Sequence, residues 1–342
     1  MILITGGAGY IGSHTLIELH NAGYDFVVYD NLSNSSKESI SRVEKIILKS
    51  ITFIQGDIRD KKALEEVFEK YEIDSVIHFA GLKSINESVS KPVEYYDNNI
   101  NGTLILLELM KKYDCKNLVF SSSAVVYGDP ERIPVDENCS IGEITNPYGR
   151  TKYFIEEMLK DVYKSDSSFK IVILRYFNPV GAHESGLIGE DPTDIPNNLM
   201  PFIFQVAVGK REYLNVFGSD YDTPDGTGVR DFIHIVDLAN GHVKAIEYLK
   251  NSSQYFNPLI VNLGTGEGYS VLDMLKAFEK VNEIKIPYKL VDRRDGDIGT
   301  CYADVSLSKD ILNWEANKTL EDMCKDSWNW QSKNPNGYKQ KK

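Results

Sequence analysis

The chain has 342 residues, 42% hydrophobic and 26% charged, an ordinary globular composition with enough apolar material for one large or two intimate domains. Its 38 basic and 50 acidic residues leave a net charge of −12, which argues against a nucleic-acid or anionic-membrane binder, since either needs a basic face. An anionic nucleotide stays within reach, because a few arginines and helix N-termini suffice locally.

Met1–Thr5 runs straight into a glycine-rich turn and reads as a core strand rather than a secretory leader. No apolar run approaches the roughly 20 residues of a membrane helix. Strands are predicted at Ile2–Thr5, Phe26–Asp30, Thr52–Gln55, Ser75–Phe79, Asn117–Ser121 and Lys170–Arg175. Helical patterns fall between them at Ile11–Asn21, Lys61–Lys70, Pro92–Lys112 and Pro147–Lys164. Short apolar strands separated by longer helices predict parallel βαβ units, hence an α/β fold with a doubly wound parallel sheet of Rossmann type. After about residue 177 the rhythm changes. Pro179–Asp231 is rich in Gly, Pro, Asn and Asp and reads as a loop-rich cap with a helical insert near Leu199–Val208. Phe232–Leu249, mainly helical, and a strand at Leu259–Leu263 could return to the sheet. The expected division is 1–177 for dinucleotide binding, with returning segments near 232–263, and 178–342 for a smaller, mixed α/β substrate domain. The polar tail Lys333–Lys342 is expected to fray.

Cys115, Cys139, Cys301 and Cys324 show no C-x-x-C spacing, and the six histidines no metal-ligand spacing. The thiols read as reduced, the expected compartment is the cytoplasm, and no metal is expected.

Thr5-Gly6-Gly7-Ala8-Gly9-Tyr10-Ile11-Gly12 follows the first strand and opens the first helix. It satisfies G-x-G-x-x-G through Gly7, Gly9 and Gly12, and a shifted G-x-x-G-x-x-G through Gly6, Gly9 and Gly12. Such a turn lets the backbone approach a pyrophosphate at a helix N-terminus. Asp30, 18 residues after Gly12, stands where a carboxylate grips the adenosine ribose and repels an extra phosphate, so NAD is favoured over NADP. Asp57 follows the third strand, where it either accepts a hydrogen bond from adenine or caps the next helix.

Tyr148 and Lys152 lie four apart on one helix face, and the fifth strand ends in Ser121-Ser122-Ser123 at the carboxyl edge where α/β ligands bind. A Tyr, a Lys and a Ser suit hydride transfer at a hydroxyl carbon. The phenol takes the alcohol proton, the Ser holds the same oxygen, and the Lys lowers the phenol's pKa. A free Tyr titrates near 10, but a cation at about 4 Å contributes roughly 4 kcal/mol at an effective dielectric near 20, or about three pK units.

On these residues the chain resembles the extended short-chain dehydrogenase/reductase superfamily and, within it, the UDP-glucose 4-epimerase family. The likeness runs nearly end to end. It rests on Thr5–His14, His78–Lys83, Tyr95–Asn99, Phe120–Gly128, Arg175–His183, Pro196–Pro201 and Asp225–Asp231. The resemblance implies Ser123 and Tyr148 as the acid/base pair, with Lys152 tuning them. It implies that Gly6, Gly9, Tyr10, Ile11, Asp30, Asn31, Asn34, Asp57, Ile58, Phe79, Ala80, Gly81, Lys83, Asn98 and Phe177, together with the catalytic three, hold NAD. It also implies that Asn178, Asn198, Leu199, Arg230, Arg294 and Asp297 hold UDP, with Lys83, Ser123 and Tyr148 reaching the sugar. Arginine forks suit a diphosphate, although a surface ion pair with a nearby Asp is the alternative for Arg230 and Arg294.

The implied reaction inverts carbon 4 of a UDP-hexose through a 4-keto sugar, with transient reduction of a tightly held NAD. A homodimer is implied by the helices around Val93–Lys112 and Pro147–Lys164, whose apolar residues packing on the sheet would explain equally well. In the family, the position of Cys301 borders the hexose. A bulky Tyr there goes with sugars lacking an N-acetyl group, so a Cys implies activity on UDP-GlcNAc and UDP-GalNAc as well as UDP-glucose and UDP-galactose; a buried cysteine without consequence is the alternative. Sugar-nucleotide 4,6-dehydratases and decarboxylases share the cofactor but need further acid/base groups, where this chain has Ala124 and Val125. An NAD-sensing regulator on the same fold would typically lack the Tyr–Lys pair.

Overall fold

The computed structural model describes residues 1–192, 198–251, 258–294 and 297–339. Strands β1 Ile2–Thr5, β2 Phe26–Asp30, β3 Thr52–Gln55, β4 Ser75–His78, β5 Asn117–Ser123 and β6 Lys170–Tyr176 are followed by β7 Asn178–Val180, β8 Leu214–Phe217, β9 Val229–Arg230, β10 Phe232–His234 and β11 Leu259–Leu263. β12 Tyr269–Ser270, β13 Tyr288–Val291 and β14 Thr300–Cys301 complete them. The first six helices are α1 Tyr10–Asn21, α2 Lys37–Ile47, α3 Lys61–Lys70, α4 Ile85–Ser90, α5 Pro92–Tyr96 and α6 Gly102–Lys112. Then come α7 Pro147–Ser165, α8 Leu199–Ala207, α9 Ile235–Asn251, α10 Val271–Asn282, α11 Ser306–Leu312 and α12 Leu320–Lys333.

The main sheet has seven strands in the order β11-β6-β5-β4-β1-β2-β3, and every pairing in it is parallel. Alternate residues of one strand feed opposite cores, which is why these strands read as unbroken apolar runs. Ile2, Ile4, Val28 and Val172 pack with Leu16, Val43 and Ile246 from α1, α2 and α9. Leu3, Val27, Phe120 and Ile173 pack on the other side with Leu64, Leu106, Ile155 and Leu159 from α3, α6 and α7. A third core gathers Ile203 and Phe204 of α8, Val216, Phe278 of α10 and Met323 of α12. No helix among the described residues is long and apolar enough to cross a membrane.

The strand limits agree with the sequence reading to within two residues, and four departures are informative. Pro92–Lys112 is not one α-helix: a π turn over Asp97–Asn101 separates α5 from α6. That wide turn delivers Asn99 to the backbone of Leu82, accepting from its N–H at 2.8 Å and donating to its carbonyl at 3.0 Å. Such insertions concentrate at functional sites. The expected helical insert is α8, but the loop-rich cap around it also holds the short strands β8 and β9 and most of β7. The mainly helical Phe232–Leu249 stretch opens on a strand, Phe232–His234, beside β7, where the buried Asp231 carboxylate ties the backbone of Thr265, Gly266 and Ala303 to this corner. The tail does not fray as far as Lys339. Arg42 lies over the rings of Trp330 and Tyr338, at 5.5 and 5.2 Å, and donates to Asn334 Oδ1 at 2.6 Å. Residues 340–342, along with Pro196 and Asn197 of the quoted family motif, lie outside the described residues.

Three histidines are locked inside the main domain. His78 bridges the hydroxyls of Thr5 and Thr103 at 2.7 and 3.0 Å, and His242 joins the Leu238 carbonyl and the Tyr176 hydroxyl. Burial pushes His14 and His78 down to about 3 and His242 down to about 4. The unfolded chain therefore binds protons below pH 6.5 that the native state refuses, so stability is lost as pH falls from 6.5 toward 4. Each of the three should cost about 1.4 kcal/mol per pH unit in that window. Urea midpoints at pH 8, 7, 6 and 5 check this: a plateau above 7 and a steep fall below 6.5 are expected.

Candidate active site

The dinucleotide turn follows from two close approaches. Gly6 adopts φ +72°, and a Cβ there would meet Ala80 N at 2.6 Å. A Cβ on Gly12 would lie 2.6 Å from the Gly6 carbonyl oxygen. With Gly9 as its N-cap residue and no side-chain cap, α1 presents uncapped N–H groups, the arrangement that receives a phosphate. At the end of β2 the buried Asp30 carboxylate accepts from Ala8 N at 3.0 Å, Leu32 N at 2.8 Å and Ser35 Oγ at 2.9 Å, leaving acceptor capacity for a ribose. A cradle that any Cβ would fill, next to a carboxylate, fits a dinucleotide without a 2′-phosphate.

A cavity of about 1310 Å³ begins at this turn. Gly6, Gly9, Tyr10 and Ile11 line one end with Asp30, Asn31, Asn34 and Ile58. Phe79, Ala80, Gly81, Lys83 and Asn98 line its middle, and Tyr148 and Lys152 stand across from them. The same cavity reaches Asn198 and Arg294. Asp57 is not on its wall. Arg59 clasps that carboxylate at 2.9 and 2.8 Å and holds it well below the usual carboxylate range, while the helix cap is Asp60, accepting from Ala63 N. The helix-cap reading of Asp57 is not realised, since Asp60 takes that place.

α7 begins at Pro147 because Asn146 accepts from Gly149 N at 2.8 Å and proline suits the first turn. This start turns Tyr148 and Lys152 toward the end of β5. Lys152 is buried and donates to the Ser121 carbonyl at 2.6 Å. Burial pushes its ammonium down to about 8, with the Glu156 carboxylate resisting. Burial raises the Tyr148 phenol, and a hydrogen bond with Ser123 draws part of that back. The Lys152 ammonium stands 6.0 Å from the Tyr148 ring centroid. With burial the largest influence, the phenol stands raised rather than lowered.

The model of the NAD-dependent epimerase/dehydratase family matches residues 2–264. A UDP-glucose 4-epimerase from Pasteurella multocida is 62% identical over 338 residues, covering 99% of both chains, and one from Haemophilus influenzae is 60% identical with the same coverage. The crystal structure of UDP-glucose 4-epimerase from Bifidobacterium longum, in complex with NAD+ and UDP, superposes with a TM-score of 0.93 at 54% identity, covering 98% of this chain and 99% of that one. The chain belongs to the UDP-glucose 4-epimerase family.

The other residues that the epimerase resemblance singled out are spread over several elements. Ser123 is off the cavity wall and caps the short turn Ala124–Tyr127. Phe177 and Cys301 are buried together among Val126, Tyr127, Val135 and Ala303; neither lines the cavity. Asn178 opens β7, Leu199 opens α8, and Cys301 sits opposite Arg230 where β14 pairs with β9. Arg230 carries the ion pair that was its alternative reading, at 2.5 Å, and its partner Asp297 is itself one of the expected UDP residues. Arg294 instead lies over the Phe217 ring at 3.9 Å.

Sequence reasoning missed Glu190, a cavity residue that accepts from Asn198 Nδ2 at 2.9 Å. Burial raises its carboxyl and Lys83 opposes that shift. A Glu in a Gly-Glu-Asp-Pro loop carries no periodic signal, so nothing in the sequence marks it. No group of three or more His, Cys, Asp or Glu among the described residues could hold a metal ion.

Proposed function

We propose that this epimerase-family chain interconverts UDP-glucose and UDP-galactose, with NAD as cofactor, and that it accepts UDP-GlcNAc and UDP-GalNAc as well. One observation carries the reading: a single cavity joins the glycine turn and Asp30 to Tyr148 and Lys152 and continues to Asn198 and Arg294. Tyr148 removes the proton of the sugar's 4-hydroxyl, Ser123 holds the same oxygen, and Lys152 supplies positive charge beside the phenol. NAD, when bound, supplies a hydride acceptor for carbon 4 and returns the hydrogen. The resulting 4-keto sugar turns before its other face is reduced, so firm contacts belong on the uridine diphosphate and weak ones on the hexose. Lys83, Asn178, Asn198, Leu199, Arg230, Arg294 and Asp297 are proposed for that grip. The NAD set is proposed as the sequence reading has it, with Asp57 acting through Asn31, to which it is bonded at 3.0 Å. Elimination chemistry is disfavoured, since Ala124 and Val125 offer no proton.

Support for the wider sugar range is the small side chain of Cys301, within the cluster around Phe177. The two-domain division is proposed with its border near 177 and the α9–β11 segment returning to the main sheet. A homodimer is proposed as well, supported by Val93 of α5, 79% exposed, with Leu104 of α6 and Phe154 of α7 also exposed. The cytoplasm is the proposed compartment, on four buried free thiols.

Tyr148→Phe should lower epimerisation of UDP-galactose about 10²–10⁴-fold, the range for losing a general acid/base, with copurifying NAD retained. Wild-type turnover that needs added stoichiometric NAD and accumulates NADH would sink the mechanism. Both substrate pairs should be turned over, and Cys301→Tyr should abolish activity on the N-acetylated pair alone; wild type acting only on UDP-galactose refutes the dual range. Light scattering should give twice the chain mass, and a monomer rejects the dimer.

A further inference from the structure

Two charged residues break the apolar pattern beneath the candidate site. Arg175 lies in β6 between Leu174 and Tyr176, and Glu156 lies on the sheet-facing side of α7 beside Ile155. They are 2% and 0% exposed, respectively, and neither lines the cavity. The guanidinium forks onto the carboxylate, with Nε donating to Oε1 at 3.1 Å and Nη2 donating to Oε2 at 2.6 Å. The Ser122 hydroxyl donates to the same Oε1, and Ser122 stands opposite Arg175 in the β5–β6 register. One carboxylate thus fastens α7 to two adjacent strands at once.

The geometry extends both ways. Glu156 is one helical turn beyond Lys152, whose ammonium grips the Ser121 carbonyl. Beyond Arg175, the guanidinium lies 4.7 Å from the Tyr127 ring centroid. The Tyr127 hydroxyl donates to Asn262 Oδ1 on β11 at 2.7 Å, and Asn262 Nδ2 donates to the Val135 carbonyl at 2.8 Å. As a stabilising device such a pair is poor, because burying two charges costs about as much as their attraction returns. Its placement points instead to alignment and to charge.

We propose that Glu156 and Arg175 are positioning residues for the epimerisation, their buried fork aligning the Tyr148–Lys152 face of α7 with the Ser121–Ser123 end of β5. The inference rests on the function proposed above. Arg175 forks onto Glu156, and Glu156 in turn favours the charged form of Lys152. The other titratable groups facing Lys152 are Tyr148 on its own helix and His78 on β4, and His78 is neutral above about pH 3. The carboxylate of Glu156 is therefore the negative charge that opposes loss of the ammonium as pH rises.

The test uses the full-length holoenzyme and UDP-galactose. Glu156→Gln keeps the shape and removes the charge. Its kcat should fall about 10- to 100-fold, the scale of a misplaced catalytic group, with KM changed less than about twofold and NAD content unchanged. The alkaline limb of its kcat–pH profile should move down by about one pH unit, and Glu156→Asp should move that limb back toward wild type. The double variant E156M/R175M restores an apolar, volume-matched pair; it should melt within a few degrees of wild type yet keep the low kcat. Wild-type kcat and pH profile in Glu156→Gln, or in the double variant, would overturn the proposal. If Glu156→Gln does not fold, the double variant decides alone. Wild type is run beside them: its failure to interconvert the UDP-hexoses defeats the proposed function, whereas the variant-to-wild-type ratio judges the pair.

Discussion

A buried ammonium must find an acceptor or lose its proton, and the acceptor here is the Ser121 carbonyl at the end of β5. That requirement organises the site. It holds α7 against the carboxyl edge of the sheet, where parallel strands end and helix N-termini begin. Burial pushes Lys152 toward neutrality, and the Glu156 carboxylate opposes that shift. Tyr148, one turn earlier on the same face, then has a fixed place relative to Ser123. Asn99 adds a second tie, since it bonds both Thr151 on α7 and the backbone of Leu82. The π turn that presents Asn99 is thus part of the same clamp between the cavity's middle and the catalytic helix.

Electrostatics across the cavity are uneven in a way that the overall charge of −12 conceals. Uncapped N–H groups at the start of α1, Lys83, Lys152 and Arg294 all face the same space. Arg230 is off the cavity wall and is paired with Asp297. Glu190 and Asp191 both stand on this wall, and burial raises both carboxyls, with Lys83 opposing the shift of Glu190.

Much of this was legible from residues alone, and the reason is periodicity. β1 and β2 begin and end at the expected residues, since strands covered on both faces must be apolar throughout; the edge strand β3, with Thr52 and Gln55 exposed, was marked only by its central Phe53-Ile54. The Gly6–Gly12 turn and the Tyr148–Lys152 spacing each carry a steric or helical rule that sequence displays directly. The π turn was invisible: one extra residue in a helix leaves the apolar pattern nearly intact. The strand Phe232–His234 went unread inside a mainly helical stretch, because three residues have no period to show. That Asp60 rather than Asp57 caps α3 was not legible, because both are loop carboxylates within a turn of the helix start and no period tells them apart. Arg175 and Glu156 were legible in principle, as charges standing where the periodic pattern calls for apolar side chains.

The docked tail has a consequence for how the protein is made. Cavity walls are contributed by residues from Gly6 near the start to Tyr338 and Lys339 near the end, and Tyr338 is pinned by Arg42 and by Asp191, which accepts from its backbone N–H at 2.8 Å. A chain that has formed only its glycine turn and its first six strands therefore still lacks part of that wall, and completing it joins segments from opposite ends of the described residues.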